Sequence, residues 1–185
     1  MRVLIFAGSL RKDSLNKKFA RVSRQFLTTI PGVEVEFVDL KDYNIPVYDG
    51  DIEATMGVPA EIIKLGQQIT NADAMVISTP EYNGSMPGIL KNVVDWISRL
   101  KPVPFRGKHL FLTAASPGAL GGVRSLWATR MPFENLGTHV YPEMMGLPKA
   151  HEQLTSEEKL ADLKLQATLE NHLTQYVEYV KKTLR

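Results

Sequence analysis

Three short runs of apolar residues, Val3 to Ala7, Ala74 to Thr79 and Leu110 to Ala114, are near-continuous rather than alternating. A strand reads this way when both of its faces are buried, which happens chiefly in parallel sheets covered by helices on both sides. A further run, Val33 to Val38, alternates around Glu34 and Glu36, as a strand at a sheet edge does. Between the runs lie segments with helical spacing at Leu15 to Leu27, Ala60 to Ile69, Ile89 to Leu100 and Val123 to Leu136, and a final amphipathic helix is predicted over Ser156 to Leu184. A fifth strand is placed at His139 to Tyr141. Alternation of strand and helix specifies an α/β fold, an open parallel sheet wrapped on both faces through right-handed crossovers. In such sheets ligands bind beyond the carboxyl ends of the strands, where the strand order reverses.

With 185 residues and 44% hydrophobic content, the chain is large enough for one domain, 1–185, whose core could close around a cofactor. Lys and Arg number 22 against 20 Asp and Glu, so the net charge of +2 calls for neither nucleic acid nor a membrane surface as partner. There is no cysteine, which removes disulfides, thiolate metal sites, iron–sulfur clusters and a Cys nucleophile together. Redox chemistry would have to come from a bound cofactor. The apolar opening Val3 to Ala7 stops at Gly8-Ser9, too soon for a secretion signal, and no longer run suggests a membrane span, so cytoplasmic residence is expected. The four histidines, His109, His139, His151 and His172, are scattered without metal-ligand spacing, and no metal is expected.

Each near-continuous run leads into a loop with polar or glycine-rich chemistry. The first, Gly8-Ser9-Leu10-Arg11-Lys12-Asp13-Ser14-Leu15-Asn16, runs into a helix start, whose unpaired N–H groups and positive dipole end favour an anion. Ser9, Ser14 and Asn16 add short donors, and Arg11 adds a forked charge suited to phosphate oxygens. Taken alone, the loop reads equally as a Ser14 helix cap with Arg11 and Lys12 solvated. The second, Thr79-Pro80-Glu81-Tyr82-Asn83-Gly84-Ser85-Met86-Pro87-Gly88, carries a strong Asn-Gly turn signal and a Pro suited to a first helical turn. Its backbone amides and carbonyls match the polar edge of a flat ring such as an isoalloxazine. Asp95 and Trp96, in the helix that follows, are read as packing and local hydrogen bonding. The third, Ala115-Ser116-Pro117-Gly118-Ala119-Leu120-Gly121-Gly122, is by itself simple punctuation. All three loops follow strands of one parallel sheet and so open on the same side, where one pocket can use them all.

These strings, with Leu90-Lys91-Asn92 and Asp95-Trp96 after the second loop, closely resemble the NADPH-dependent FMN reductase family, which includes quinone, chromate and azo reductases. Ile45-Pro46-Val47-Tyr48-Asp49 and Gly121-Gly122 fall where that family has similar segments. The resemblance implies a flavodoxin-like fold of strand order 2-1-3-4-5, FMN at the switch point, and a homodimer or homotetramer. Carried over by position, Ser9, Arg11, Ser14 and Asn16 hold the FMN phosphate. Pro80, Glu81, Tyr82, Asn83, Gly84 and Ser85 border the ring, and Ser116, Pro117 and Gly118 close the pocket.

The expected activity is hydride transfer from NADPH or NADH to FMN and onward, by a ping-pong cycle, to a small acceptor: a quinone, flavin, azo compound or metal oxyanion such as chromate. Such transfer needs distance, orientation and a dry pocket, so no acid or base side chain is assigned. The rival reading is a flavodoxin-type electron carrier, or an FMN-binding protein without direct NAD(P)H oxidation; the sequence pI near 8.8 argues against an acidic carrier. Two further expectations follow from patterning. The helix after Pro87 carries Ile89, Leu90, Val93, Val94, Trp96, Ile97 and Leu100, more apolar surface than one sheet face usually takes, so its excess should meet a second subunit. The connection from Lys41 to Pro59 is long for a compact domain, and its Ile45 to Asp49 portion should border the active site or a subunit interface.

Overall fold

A computed structural model describes residues 1–184. The near-continuous runs form β1 (Arg2–Ala7), β3 (Ala74–Ser78) and β4 (His109–Ala115), and the alternating run forms β2 (Glu34–Val38). With β5 at His139–Val140, strand order is β2-β1-β3-β4-β5 with every pairing parallel, as the resemblance implies, and the alternating strand lies at the edge. The pleat sends Leu4, Phe6, Met75, Ile77, Leu110 and Leu112 to one face and Val3, Ile5, Ala74, Val76 and Phe111 to the other. This two-sided burial explains why these strands lack alternation.

Two helical layers cover the sheet. On one face lie α3 (Ala60–Asn71), α4 (Gly88–Ile97) and α5 (Val123–Asn135); on the other lie α1 (Leu15–Leu27) and the long C-terminal α7 (Leu163–Thr183). The start of α1 is fixed by Ser14, whose hydroxyl accepts from the Lys17 N–H. Lys17 itself is buried on the sheet-facing side, where its Nζ meets Asp39 Oδ1 at 2.6 Å just beyond β2. That pair ties the first helix to the sheet edge, and a lysine on an apolar helix face is its only trace in the sequence.

Several expectations are corrected. The last helix begins at Leu163, not Ser156, because Asp162 caps it by accepting from the N–H groups of Lys164 and Leu165. The fifth position of the sheet is split into β5 (His139–Val140) and β6 (Met145–Leu147), both paired to β4, with a short α6 (Ala150–Gln153) after them. The long connection contains α2 (Gly50–Met56), which buries no residue. In the turn before β4, Phe105 is fully buried against Phe133 with ring centroids 4.9 Å apart.

The apolar surplus assigned to α4 is consumed inside the chain. Leu90, Val93, Val94, Trp96 and Ile97 are all buried, with Ile45, Tyr48 and Leu100 packed against the same cluster. Those residues therefore give no separate reason for a second subunit, while Ile89 at the start of the helix stays half-buried. No helix among the described residues is long and apolar enough to cross a membrane.

Candidate functional site

Parallel register sets the site. Ala7 pairs with Ser78, and Ser78 pairs with Thr113, so three chain segments leave the sheet side by side. The Gly8 N–H donates to the Ser78 carbonyl at 2.9 Å and the Thr79 N–H to the Thr113 carbonyl at 2.8 Å, which carries the alignment into the loops. The loops meet in one cleft lined by Arg11, Ser14, Leu15, Asn16, Pro80, Glu81, Tyr82, Ala115, Ser116 and Pro117.

At one end of the cleft stands the start of α1. The Lys17 N–H is taken by Ser14 Oγ, while the N–H groups of Leu15 and Asn16 occupy helix positions that have no intrahelical acceptor. Arg11 is exposed at this end and forms no ion pair among the described residues, Asp13 included. Ser9 is buried behind the loop, its Oγ accepting from the Arg11 N–H at 3.4 Å, so it shapes the loop from within.

The second loop folds back as a tight turn in which the N–H of each of Tyr82 and Ser85 donates to the other's carbonyl at 3.1 Å. Asn83 and Gly84 have φ of 53° and 75°, the paired left-handed conformation that an Asn-Gly turn favours. Asn83, Gly84 and Ser85 stand exposed at the rim, outside the cleft lining. Glu81 lines the cleft, yet its carboxylate is engaged elsewhere: Oε2 accepts from the Arg124 N–H and Oε1 from Arg124 Nη1 at 3.0 Å, which fastens the loop to the start of α5.

Ser116 and Pro117 line the third side. Gly118 does not, and its N–H donates to Ser116 Oγ at 3.1 Å. The loop is braced by the β6 segment, the Ser116 N–H donating to the Leu147 carbonyl and the Ala150 N–H to the Ser116 carbonyl. Gly121 crosses this brace at φ 61°, and a Cβ there would lie 2.8 Å from the Gly146 carbonyl carbon.

Asn16 belongs to the wall rather than to the open space. Its Nδ2 donates to the Ala115 carbonyl at 2.8 Å, and its Oδ1 accepts from the Ala115 N–H at 2.8 Å and the Ser78 hydroxyl at 2.9 Å. Leu15 and Ala115, which the sequence reading passed over, join the lining because they flank the first-loop helix start and the end of β4.

A second, more apolar recess lies alongside, with Leu10, Ile45, Val47 and Ile89 in its lining and Lys91 and Asp95 among its polar groups. One wall is the Ile45 to Asp49 segment, strapped to α4. The Pro46 carbonyl accepts from Asn92 Nδ2 and Trp96 Nε1, both at 2.8 Å, and the Tyr48 N–H donates to Asn92 Oδ1 at 2.7 Å. The sequence reading gave Trp96 only packing and local bonding, whereas its indole bond reaches fifty residues along the chain. Asn92 and Trp96 are four apart on one helix face, the one signal that they act together. Beyond the strap, the Tyr48 hydroxyl donates to Glu53, which raises the phenol pKa, and the Arg99 guanidinium bonded to Glu53 lowers that carboxyl's pKa.

His109 and His139, stacked 5.2 Å apart, begin β4 and β5 and therefore lie at the opposite end of the sheet from the cleft. Among the described residues no three His, Asp or Glu side chains gather as a metal site would require.

The profile of the NADPH-dependent FMN reductase family matches residues 1–152. A quinone reductase of Escherichia coli is 40% identical over 149 residues, covering 79% of this chain and 77% of its own. An NAD(P)H-dependent FMN reductase of Pseudomonas aeruginosa is 33% identical over 184 residues, covering 98% of this chain and 96% of its own. Among solved structures, the flavoenzyme NAD(P)H:(acceptor) oxidoreductase FerB of Paracoccus denitrificans superposes with a TM-score of 0.82 at 29% identity, covering 98% and 97% of the two chains.

Proposed function

The chain belongs to the NADPH-dependent FMN reductase family, and from that premise we propose that residues 1–185 form one FMN-binding reductase domain, an oxidoreductase that moves electrons from NADPH or NADH to a small acceptor. The observation that carries the reading is the convergence of three strand-end loops on one cleft with opposite chemistry at its two ends. At one end the N–H groups of Leu15 and Asn16 and the unpaired Arg11 guanidinium offer an anion site, and the Ser14 hydroxyl keeps its proton free to donate. At the other, the backbone of Pro80 to Tyr82 and of Ser116-Pro117 offers a narrow polar edge without free charge, since Arg124 holds the Glu81 carboxylate. The donor set therefore fits FMN, phosphate at the first loop and ring between the second and third. Asn83, Gly84 and Ser85 would cover the ring from the rim, and Ser9 and Gly118 would serve by holding their loops in shape.

When bound, FMN would supply the hydride chemistry that links NAD(P)H to the acceptor, and the reading assigns a ping-pong cycle. The protein's part is to bind, orient and exclude water. The apolar recess walled by Leu10, Val47 and Ile89 adjoins the cleft through the first loop and offers a surface for a flat acceptor, or for a second subunit closing the site. Quinones are the favoured acceptor class, the Escherichia coli relative being named for them. Free flavins, azo compounds and oxyanions such as chromate belong to the same proposal, as do a homodimer or homotetramer and a cytoplasmic setting where NAD(P)H is supplied.

The test is an absorbance spectrum of purified protein reconstituted with FMN, followed by NADPH and then menadione. Bleaching of the flavin bands by NADPH and their return with menadione is the expected result. A protein that takes up no FMN overturns the reading, and one that holds FMN but is not bleached by NADPH or NADH is an electron carrier or a binding protein.

A further inference from the structure

Beyond Thr113 the β3 chain turns away into its loop, and the edge of β4 that faced it loses its strand partner. Ala115, the last residue of β4, would present a buried N–H and a buried C=O there with nothing to bond, which costs free energy in a protein interior. The side chain of Asn16 fills the gap. A primary amide carries the same pair of groups as a peptide, and it exchanges both bonds with Ala115 at 2.8 Å each, as a neighbouring strand would. The Ser78 hydroxyl, at the end of β3, adds a third bond to Oδ1 at 2.9 Å. Three of the amide's four hydrogen-bonding positions are thus spent on the protein, on a residue 2% exposed.

We propose that Asn16 is a positioning residue, not a ligand of the flavin phosphate: it stands in for the missing strand and locks the roots of the second and third loops to the start of α1. The inference rests on the FMN reading of the cleft. It assigns one side chain to both ends of that cleft, because the backbone of Asn16 belongs to the anion-binding helix start while its amide sets where Pro80 and Ser116 emerge. Loss of the clamp loosens the phosphate and ring contacts together, whereas loss of a phosphate ligand loosens the phosphate contact alone.

The discriminating variant is Asn16→Asp, compared with wild type and with Arg11→Ala. An ionised carboxylate has no donor for the Ala115 carbonyl, but a protonated one has an O–H and a C=O and restores both bonds; burial raises the pKa of the introduced acid and brings this recovery within reach. FMN and riboflavin dissociation constants are measured at pH 8 and pH 5.5, with wild type under the same conditions correcting for the FMN phosphate and for Arg11 and Glu81, the charged groups lining the cleft. At pH 8 the variant weakens both flavins by a similar factor, roughly tenfold or more, and acid restores both. If riboflavin binds the variant as it binds wild type at both pH values while FMN is weakened, Asn16 is a phosphate ligand and the clamp is wrong. If wild type binds neither flavin, the FMN reading falls by itself. The clamp is then judged on flavin-free protein, where the melting temperature of the variant must rise on acidification relative to wild type and an unchanged difference overturns it. Should Asn16→Asp not fold, Ser78→Ala removes one bond of the three and must weaken FMN and riboflavin equally, by a few-fold; a loss confined to FMN overturns the proposal.

Discussion

The indole Nε1 of Trp96 donates to the carbonyl of Pro46 at 2.8 Å, joining a helix on the sheet face to a connection fifty residues earlier. The strap makes the Ile45 to Asp49 segment a fixed wall of the apolar recess, although no regular secondary structure holds it there. Trp96→Phe keeps most of the buried volume and removes the donor, so unfolding by denaturant should show a loss of about 1–2 kcal/mol. Asn92 retains its own bond to the same carbonyl, which sets the ceiling.

Tyr48 rests its ring against Trp96 with centroids 4.9 Å apart, nearly perpendicular, and its hydroxyl donates to Glu53. Tyr48→Ala removes an aromatic pair worth about 0.5–1.5 kcal/mol beyond its area and leaves Val47 and Ile45 held by the backbone strap alone. Steady-state kinetics should show a raised KM for a quinone acceptor, with FMN affinity changed less. Unaltered acceptor kinetics and unaltered assembly would make the segment a connector only.

Gly121 lies at φ 61°, and a Cβ there would come within 2.9 Å of the backbone of Gly146 to Pro148. Gly121→Ala therefore meets two penalties, a left-handed conformation for an L side chain and backbone that must retreat, each about 1–3 kcal/mol. Chemical denaturation measures the sum. Because the same contact braces the third loop, flavin affinity should fall in whatever variant still folds.

How much of this was readable in the sequence follows from how local each determinant is. The two-sided strands announced themselves because burial on both faces leaves no polar alternation, and the edge strand because Glu34 and Glu36 face solvent. The Asn83-Gly84 turn was legible since its conformation is intrinsic to those residues. α2 was not, having no buried face to give it a period, and β5 and β6 are too short for any period to show. Asn16 was placed in the right loop, but the bonds of its side chain were not legible, because the group it meets lies 99 residues away and only the third dimension brings Ala115 to it. The Arg124 partner of the Glu81 carboxylate was hidden for the same reason, since it comes from another element.

Arg11 separates the two ends of the cleft by chemistry. FMN and riboflavin share a ring and differ in the phosphate, and a charge-assisted hydrogen bond is typically worth about 1.5–3 kcal/mol, roughly ten- to a hundredfold in dissociation constant. Arg11→Ala should weaken FMN by that factor and leave riboflavin nearly untouched, and added salt should weaken wild-type FMN binding more than the variant's. Ser14→Ala should act in the same direction by less, since the helix-start amides remain. Equal loss of both flavins from Arg11→Ala would move that residue from the phosphate to the support of the fold.

The last expectation concerns pH and the far end of the sheet. His109 is buried at the start of β4, and its Nε2 is 2.9 Å from the Thr183 hydroxyl near the end of α7. Among the described residues its Nδ1 is buried without a partner, and His139 is stacked against it. Burial first, and the neighbouring imidazole second, hold the His109 pKa below the ordinary 6.5. A depressed pKa means that below 6.5 the unfolded chain takes up a proton that the folded chain refuses. The contribution of this group to stability is therefore full above pH 6.5 and is lost as pH falls from there towards the native value. Denaturant midpoints between pH 7.5 and pH 5 should decline for wild type and decline less for His109→Gln, which can keep a bond to Thr183 but does not titrate. The slope difference should persist without flavin, since the cleft lies at the other end of the strands. An identical pH dependence in the two proteins would show that α7 docks without regard to the charge on His109.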